Sequence, residues 1–300
     1  MNIALSIGNF DAVHLGHIAI VEAARKVAGE GLVVIWSFNP SPTAFLHPEM
    51  EVERLTEFPH RRALLLAAGA DEVVELVPTA GLMNQTPEVF VSHFVKSLSP
   101  QLVVEGEGFR FGKNREGTLD ELVQLGLKYK FSTIKVPPIE ITLQDQSVHR
   151  ASSSLVRALI KSGRVEDAHI VLGRSISVSG IVEQGEQLGR TLNFPTANIN
   201  QIQTLLPADG VYAGRGTLKD GTSFPAAISI GTKPTFGEND RTCEAHLIGL
   251  EDDLCKYGWK LELSFDYWLR DQIRFDSIEE LKNAIQGDVE KTTQLLERNT

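Results

Sequence analysis

The stretch Gly8-Asn9-Phe10-Asp11-Ala12-Val13-His14-Leu15-Gly16-His17 decides the fold of the first half of this 300-residue chain. It follows the strand-like run Asn2–Ile7 and leads into the amphipathic stretch Ile18–Ala28. A strand that ends in glycine and turns into a helix directs backbone N–H groups and the positive end of the helix dipole at an anion. The stretch therefore predicts a phosphate site, and the spacing of His14 and His17 places both imidazoles on one face of the helix.

Two imidazoles aimed at one phosphate can donate hydrogen bonds to oxygens that gain charge as a phosphoanhydride breaks. The alternative is that His14 and His17 only cap the helix or pack locally. The stretch lacks the Gly-x-Gly-x-x-Gly fingerprint of dinucleotide-binding folds and the Walker loop of other nucleotide-binding folds. Binding of NAD is therefore not predicted.

Composition sets limits on the class of protein. The length predicts two domains, and the hydrophobic fraction of 42% and charged fraction of 23% are typical of globular chains. A net charge of −10 argues against a general nucleic-acid binder, which needs a cationic surface. The two cysteines, Cys243 and Cys255, have neither metal-ligand nor disulfide spacing. We expect no basic leader before Asn2, and the apolar runs are too short to cross a bilayer. We expect a cytoplasmic protein with no nucleic-acid or membrane partner.

The first half alternates short apolar runs with amphipathic stretches, which is typical of βα units around a parallel sheet. A proline in the first turn, Pro87, follows Thr86 as the N-cap of one helix. We expect a doubly wound α/β domain over residues 1–170. Its predicted strands are Leu32–Phe38, Glu72–Val77, Leu102–Glu105 and Ser132–Val136, and its predicted helices are Ile18–Ala28, Phe58–Ala68, Glu88–Leu98 and Leu119–Tyr129.

After Arg174 the pattern changes to apolar and polar residues in alternation, separated by Gly- and Pro-rich turns. This pattern is typical of a β-barrel. A last amphipathic helix, Ile278–Arg298, begins after Ser277 as its N-cap. We expect a barrel domain with a C-terminal helix over residues 171–300, and its predicted strands include Ile176–Val182, Gly210–Leu218, Phe224–Ile230, Cys243–Leu250 and a run through Leu261, Leu263 and Phe265.

Four cations in the first half could neutralise phosphate in a chain that is acidic overall: Arg110, Lys113, Arg115 and Arg157. The alternative is that they are ordinary exposed charges. The serines Ser152, Ser153 and Ser154 could bind phosphate or only cap the helix that follows them, and the sequence does not choose between the two.

Two segments of the second half carry polar groups suited to phosphoryl transfer. The glycine-punctuated segment from Gly185 to Asn198 could cradle phosphates, with Thr196 and Asn198 offering neutral oxygens to a hard cation, although such a segment can be only a turn. Glu244 and His246 are two apart on a predicted strand and therefore share a face. A carboxylate there could act as a general base, unless it is simply solvated.

At these residues the chain resembles known families. The His14-Leu15-Gly16-His17 element is similar to the phosphate-binding element of nucleotidylyltransferases, and Gly106–Gly117 and Ser152–Arg157 resemble the second and third signatures of prokaryotic FAD synthetases. The string Phe194-Pro195-Thr196-Ala197-Asn198 is similar to the ATP and magnesium motif of riboflavin kinases. Over essentially its whole length the chain resembles the bifunctional riboflavin kinase and FMN adenylyltransferase family.

The resemblance implies a nucleotidylyltransferase domain followed by a riboflavin kinase barrel, with ATP, riboflavin, FMN and FAD as substrates or products and Mg²⁺ as cofactor. It implies Glu244 as the base for the ribityl 5′-hydroxyl, His14 and His17 as charge-stabilising catalytic groups, Arg270 and His246 as flavin contacts, and Thr196 and Asn198 as metal ligands. The implied ATP or phosphate contacts are Gly8, Phe10, Asp11, Gly16, Arg110, Ser153, Ser154 and Arg157 in the first half and Gly185, Gly189 and Arg190 in the second.

The chain departs from the family pattern at several positions. Ala12 replaces a usual glycine, which is a mild change. Gly108 stands before Phe109 where the family commonly has aspartate or asparagine, which removes a polar side chain near the nucleotide. Gly108 therefore motivates an alternative, a riboflavin kinase with a degenerate first domain; a further alternative is a flavin or nucleotide sensor without catalysis. The oligomeric state is left open by the sequence.

Overall fold

The computed structural model describes residues 2–50, 52–185, 188–232, 241–250 and 257–297, without the side chains of Leu188 and Arg190. By its contacts the chain divides into two units, Met1–Ser153 and Ser154–Thr300. Each unit is described by itself. The domain limits expected from the sequence, 1–170 and 171–300, stay a prediction.

The first unit is built around a parallel sheet with the strand order β3-β2-β1-β4-β7, which confirms the doubly wound α/β prediction. Its strands are β1 (Ile3–Gly8), β2 (Leu32–Phe38), β3 (Glu72–Leu76), β4 (Leu102–Gly106), β5 (Arg110–Phe111), β6 (Gly117–Thr118), β7 (Ser132–Val136), β8 (Glu140–Thr142) and β9 (Val148–Arg150). Its helices are α1 (Leu15–Ala28), α2 (Pro42–Leu46), α3 (Phe58–Ala67), α4 (Ala80–Met83), α5 (Pro87–Leu98) and α6 (Leu119–Tyr129), with a 3₁₀ turn at Lys113–Arg115.

Alternating residues of the central strands bury both faces of this sheet. Leu5 and Ile7 of β1 belong to one core cluster with Phe94 of α5, whereas Ala4 belongs to a second cluster with Val21 of α1. Burial on both faces explains why these strands read as continuous apolar runs.

The strand order reverses between β1 and β4, because β2 and β3 lie on one side of β1 while β4 and β7 lie on the other. In open α/β sheets ligands bind outside the carboxyl ends of the strands at this switch point. The two loops that leave these strand ends are the segments 9–14 and 107–109, both of which carry residues singled out from the sequence. The topology therefore places the predicted phosphate site where the fold favours one.

In the second unit, six strands close into a barrel with the order β10-β11-β14-β13-β12-β15, and neighbouring strands are antiparallel. The barrel prediction is confirmed. The strands are β10 (Ile176–Glu183), β11 (Ala197–Asn200), β12 (Gly210–Thr217), β13 (Ser223–Thr232), β14 (Arg241–Leu247) and β15 (Lys260–Arg270). The helices are α7 (Ser153–Lys161), which begins at the last residue of the first unit, α8 (Val165–Leu172), α9 (Leu188–Thr191) and α10 (Ile278–Glu297).

Apart from shifts of one or two residues at other strand ends, two details of the barrel differ from the sequence expectation. The strand β11 was not predicted, because four residues containing two asparagines carry little strand signal; pairing with β10 and β14 on both sides forms it. The strand β14 ends at Leu247 rather than Leu250, because Gly249 adopts φ = 85° and turns the chain. The N-cap of α10 is confirmed, since the Ser277 hydroxyl accepts a hydrogen bond from the Glu280 amide at 3.2 Å.

Candidate active sites

The turn between β1 and α1 holds three non-glycine residues in the left-handed region. The φ angles of Phe10, Ala12 and Val13 are 49°, 74° and 45°. Each such residue costs on the order of 1–3 kcal/mol and persists only where its surroundings over-determine it. The conformation of Ala12 is one that glycine adopts at lower cost, which gives a physical reason for the glycine that the family pattern has there.

His14 and His17 lie against each other where α1 begins. His14 occupies the N-cap position, and the two imidazoles stack with ring centroids 3.7 Å apart. A β-carbon at Gly16 would lie 3.1 Å from the His14 ring, so the missing side chain gives room to this ring, and contact of Gly16 with phosphate stays a prediction. Phe10 is 2% exposed and packs on His17 with centroids 5.1 Å apart. The structure thus brings the two predicted histidines together.

Asp11 is buried, and its carboxylate faces the protein. The carboxylate accepts hydrogen bonds from the amides of Leu55 and Thr56, at 3.2 and 3.0 Å, and from the Thr56 hydroxyl at 3.0 Å. It also pairs with Arg61 at 3.4 Å. These contacts anchor the turn to the segment before α3. A direct contact of Asp11 with phosphate stays a prediction. Ser153 also contacts this turn, because its hydroxyl donates a hydrogen bond to the Asp11 carbonyl at 2.7 Å.

The other predicted phosphate contacts lie on several elements. Gly8 ends β1, where it pairs with Ser37 of β2. Arg110 is exposed on β5, opposite Thr118 of β6, in the segment that follows β4. Ser154 is exposed and Arg157 half-buried on α7, which belongs by its contacts to the second unit. Their contact with phosphate stays a prediction.

A buried carboxyl, which the sequence reasoning did not single out, lies beneath the switch point. Glu105 of β4 is 3% exposed, and its Oε1 accepts a hydrogen bond of 2.7 Å from the Ile7 amide of β1. Burial raises the pKa of this carboxyl well above its ordinary value and outweighs the opposing hydrogen bonds of the Ile7 amide and the Ser6 side chain. The Glu105 carboxyl therefore links the ends of β1 and β4 through its hydrogen bond, and its burial favours the uncharged form.

In the barrel, β11 and β14 bring three oxygen-bearing side chains together. Asn198 is paired with Glu244 in the strand register, and the Thr196 hydroxyl donates to Glu244 Oε2 at 3.2 Å. A β-carbon at Gly185 would lie 2.2 Å from the Asn198 amide nitrogen, so only glycine lets this amide lie against the turn. Gly189 accepts hydrogen bonds from the Leu192 and Phe194 amides and closes the segment before Thr196. The side chain of Arg190 lies outside the described residues.

Glu244 and His246 share the face of β14 opposite to the buried Cys243, Ala245 and Leu247, as the spacing predicted. His246 Nδ1 lies 2.8 Å from the Pro195 carbonyl, and its ring meets Phe194 edge-on. Because a carbonyl only accepts, Nδ1 carries the proton in this contact. Both residues line a pocket of about 220 Å³ together with Thr196, apolar side chains such as Leu192 and Phe275, and polar residues of β15 and α10.

Arg270 borders this pocket but is held by a partner that the sequence reasoning missed. Its Nε and Nη2 donate to Asp288 of α10 at 3.0 and 2.7 Å, and its Nη1 donates to the Asp271 carbonyl at 3.1 Å. Asp288 is 8% exposed and lies on the helix face of Leu281 and Ile285, which also line the pocket. A carboxylate within an amphipathic face signals a buried cation partner, and this signal could have found the pair. Flavin contact by Arg270 stays a prediction.

No helix of the described ranges combines the length and the apolar character needed to cross a membrane.

Comparisons with known proteins agree with the two halves. Residues 1–152 match the family model of FAD synthetase and residues 172–296 that of riboflavin kinase. The chain is 34% identical over 290 residues to a bifunctional riboflavin kinase/FMN adenylyltransferase from Pseudomonas fluorescens, covering 95% of this chain and 90% of the relative. A relative of the same description from Escherichia coli K12 is 31% identical, with coverage of 95% and 90%.

A solved structure from Streptococcus pneumoniae, described as a macrolide-efflux protein, superimposes with a TM-score of 0.87 at 27% identity, covering 97% of this chain and 94% of its own. This likeness extends over both units. With a matching family model for each half and relatives aligned over nearly the whole length, the chain belongs to the bifunctional riboflavin kinase/FMN adenylyltransferase family.

Proposed function

We propose that the barrel unit phosphorylates riboflavin and that the α/β unit transfers AMP to the FMN produced. The observation that carries the kinase assignment is the contact of Thr196 with Glu244 in a pocket lined by both polar and apolar groups. The stacked pair His14 and His17, at the start of α1, supports adenylyl transfer.

In the kinase step, Glu244 takes the proton of the ribityl 5′-hydroxyl. The hydroxyl oxygen then attacks the γ-phosphorus of ATP, the bond to the β-phosphate oxygen breaks, and ADP leaves. Such a reaction depends mainly on positioning and on neutralising the phosphate charge. His246 is held by the Pro195 carbonyl and Phe194 and lines the same pocket, and its proposed role is to orient the flavin substrate.

Magnesium fits this site. Thr196 and Asn198 offer neutral oxygens beside the Glu244 carboxylate, and the described residues hold no cluster of three or more His, Cys, Asp or Glu suited to a metal. Mg²⁺ commonly takes one or two protein ligands and completes its shell with substrate phosphates and waters. When bound, Mg²⁺ neutralises phosphate charge, with Thr196 and Asn198 as the residues that hold it.

In the adenylyl transfer step, a phosphate oxygen of FMN attacks the α-phosphorus of ATP and pyrophosphate leaves. The N–H groups of His14 and His17 stabilise the charge that develops on the phosphate oxygens. Arg110, Arg157, Ser153 and Ser154 are the proposed additional phosphate contacts, and no covalent enzyme intermediate is required. A net charge of −10 suits small-molecule rather than nucleic-acid partners, and we place the enzyme in the cytoplasm, where ATP is supplied.

The test is a product assay in which the purified chain is incubated with riboflavin, ATP and Mg²⁺ and the flavins are separated. We expect FMN first and FAD after it. FMN without FAD, under excess ATP and with several divalent metals, would favour the kinase with a degenerate first domain. Absence of both products would refute the enzyme assignment.

Gly108→Asn tests how far the glycine limits adenylyl transfer. Gly108 is exposed, and a β-carbon there meets no atom within 4 Å, so the fold has room for the side chain. One added neutral hydrogen bond of about 0.5–1.5 kcal/mol corresponds to an increase of about 2- to 12-fold. We expect FAD formation from FMN to rise by this factor while the kinase rate stays unchanged.

Gly287→Asn is the matched control for this change, because a β-carbon at Gly287 also meets nothing within 4 Å but the residue lies on α10. We expect no effect of Gly287→Asn on FAD formation. An unchanged or lower rate in Gly108→Asn would show that the glycine does not limit the reaction.

Asp288→Asn tests the pairing of α10 with the barrel. The change keeps the shape of the side chain but removes the charge that faces the Arg270 guanidinium. Since hydrogen bonds to charged groups contribute about 1.5–3 kcal/mol, we expect the free energy of unfolding to fall by this amount. Because Arg270 and Asp288 both line the pocket, we also expect a higher KM for riboflavin.

Chemical denaturation and kinase kinetics measure the two effects of Asp288→Asn. Glu290→Gln is the control, since Glu290 is exposed two residues along the same helix. Equal stability and equal KM in the Asp288 and Glu290 variants would contradict the prediction.

A further inference from the structure

Arg61 of α3 is a buried cation that none of the proposed steps uses. It is 4% exposed. A buried charge destabilises a fold unless it is paired and its hydrogen-bonding groups are satisfied. The contacts of the Arg61 guanidinium therefore indicate what its burial achieves.

All three guanidinium nitrogens have acceptors. Nη1 donates to the carbonyls of Asn9 and Phe38, both at 2.9 Å, and lies 3.4 Å from the Ser37 hydroxyl. Nη2 donates to the Thr56 carbonyl at 3.1 Å and to Asp11 Oδ1 at 3.4 Å, and Nε donates to the Thr56 hydroxyl at 3.2 Å. A planar guanidinium with five N–H donors can satisfy such a set, whereas an ammonium with three cannot.

These acceptors belong to three separate segments. Asn9 follows β1 directly, Phe38 is the last residue of β2, and Thr56 lies in the segment that leads into α3. Arg61 therefore connects the carboxyl ends of two adjacent parallel strands with the segment before its own helix.

The same contacts surround the left-handed turn. Asp11 lies between Phe10 and Ala12, both of which have positive φ, and its carboxylate is held by Arg61 and Thr56. The Ala12 amide donates to the Thr56 hydroxyl at 3.2 Å. A strained turn keeps one conformation only where neighbouring groups enforce it. Arg61 connects Asp11 and Thr56, the groups that hold this turn in its conformation. The turn leads directly to His14.

We propose that Arg61 is a positioning residue for adenylyl transfer: its guanidinium fixes the turn from Phe10 to Val13 and thereby sets where His14 and His17 meet the phosphates. The proposal rests on the proposed function of these two histidines. It assigns Arg61 no contact with substrate.

Three variants test the proposal. Arg61→Met keeps the length of the side chain and removes every donor. Arg61→Lys keeps the charge but supplies fewer donors without the planar geometry. Arg62→Met is the matched control, because Arg62 is the next residue of the same helix and is exposed.

Two readouts are needed. The first is kcat and KM for ATP in FAD formation from FMN, with the riboflavin kinase rate of the same sample as an internal standard for intact protein. The second is the pair of Cε1–H resonances of His14 and His17, assigned with His14→Asn and His17→Asn. These resonances report on the stacked rings whether or not the chain makes FAD.

For Arg61→Met we expect kcat to fall about 100-fold, as a displacement of about 1 Å can cause, with a smaller change in KM. We expect both histidine resonances to shift and the kinase rate to stay constant. Arg61→Lys should show a smaller loss in kcat with the resonances shifted in the same direction. Arg62→Met should leave kcat, KM and both resonances as in the wild type.

Folded Arg61→Met protein with wild-type kcat, or with unshifted His14 and His17 resonances, would overturn the proposal. If Arg61→Met does not fold, the kcat and resonances of Arg61→Lys decide in the same way. If the wild-type chain makes no FAD, the proposed function fails, and the resonances alone then decide whether Arg61 sets the positions of the histidines.

Discussion

Glu244→Gln is expected to lower the rate of FMN formation by about 100- to 10,000-fold, the contribution of a positioned general base. The amide keeps the size of the side chain and can still accept the hydrogen bond that Thr196 donates to Glu244. It cannot take a proton from the ribityl hydroxyl. We therefore expect riboflavin binding, measured by flavin fluorescence, to change only slightly while kcat falls by this factor.

The bifunctional chain provides an internal control for this variant, because FAD formation from added FMN should continue at the wild-type rate. Glu262→Gln is a second control, since Glu262 is a half-buried carboxylate on β15 that does not line the pocket. Wild-type turnover in Glu244→Gln would exclude Glu244 as the base. If the wild-type protein bound flavin but had no turnover, and Glu244→Gln bound flavin equally well, the chain would instead be a flavin or nucleotide sensor without catalysis.

The fold could be predicted largely from the sequence, because its elements have strong periodic signals. The helix Leu119–Tyr129 and the strand Leu32–Phe38 have the predicted limits. Sequence periodicity fails to predict an element that forms only because neighbouring strands pair with it. The strand Ala197–Asn200 has little strand propensity of its own and forms because strands pair with it on both sides.

The site could be predicted only where motif residues act through their own side chains. The sequence identifies two such pairs, and the structure brings the members of each together: Thr196 with Glu244, and His14 with His17. Arg61 and Asp288 were missed. Each is a buried charge whose partner is distant in the sequence, Asp11 for the first and Arg270 for the second. The position of Asp288 on the apolar face of its helix signals a buried cation, but no local spacing identifies Arg270 as that cation or points to Arg61.

The roles of individual motif residues were also beyond the sequence. The family resemblance implies nucleotide contacts for Asp11 and Gly16, and these contacts stay predictions. In the structure Asp11 anchors the turn through Thr56 and Arg61, and Gly16 makes room for the His14 ring. A motif therefore identifies residues that lie close together, whereas the packed structure shows what each of their side chains contacts within the protein.

His14→Asn and His17→Asn are each expected to lower kcat for FAD formation by about 100- to 1,000-fold, the usual cost of removing one donor that stabilises transition-state charge. The ground-state contacts of ATP are more numerous, so KM for ATP should change much less. Because the rings stack at 3.7 Å, removing one also displaces the other. We therefore expect the double variant to lose less than the product of the two single losses, as residues that act as a unit do.

Steady-state kinetics of FAD formation from FMN, with pyrophosphate release as a second readout, measure these losses. His149→Asn is the control, since His149 is exposed on β9 and its ring contacts Ser147. The kinase rate should be unaffected in all variants. Losses that multiply in the double variant would mean that the two histidines act independently, and wild-type kcat in either single variant would remove that histidine from the catalytic step, because charge stabilised only in the transition state must appear in kcat.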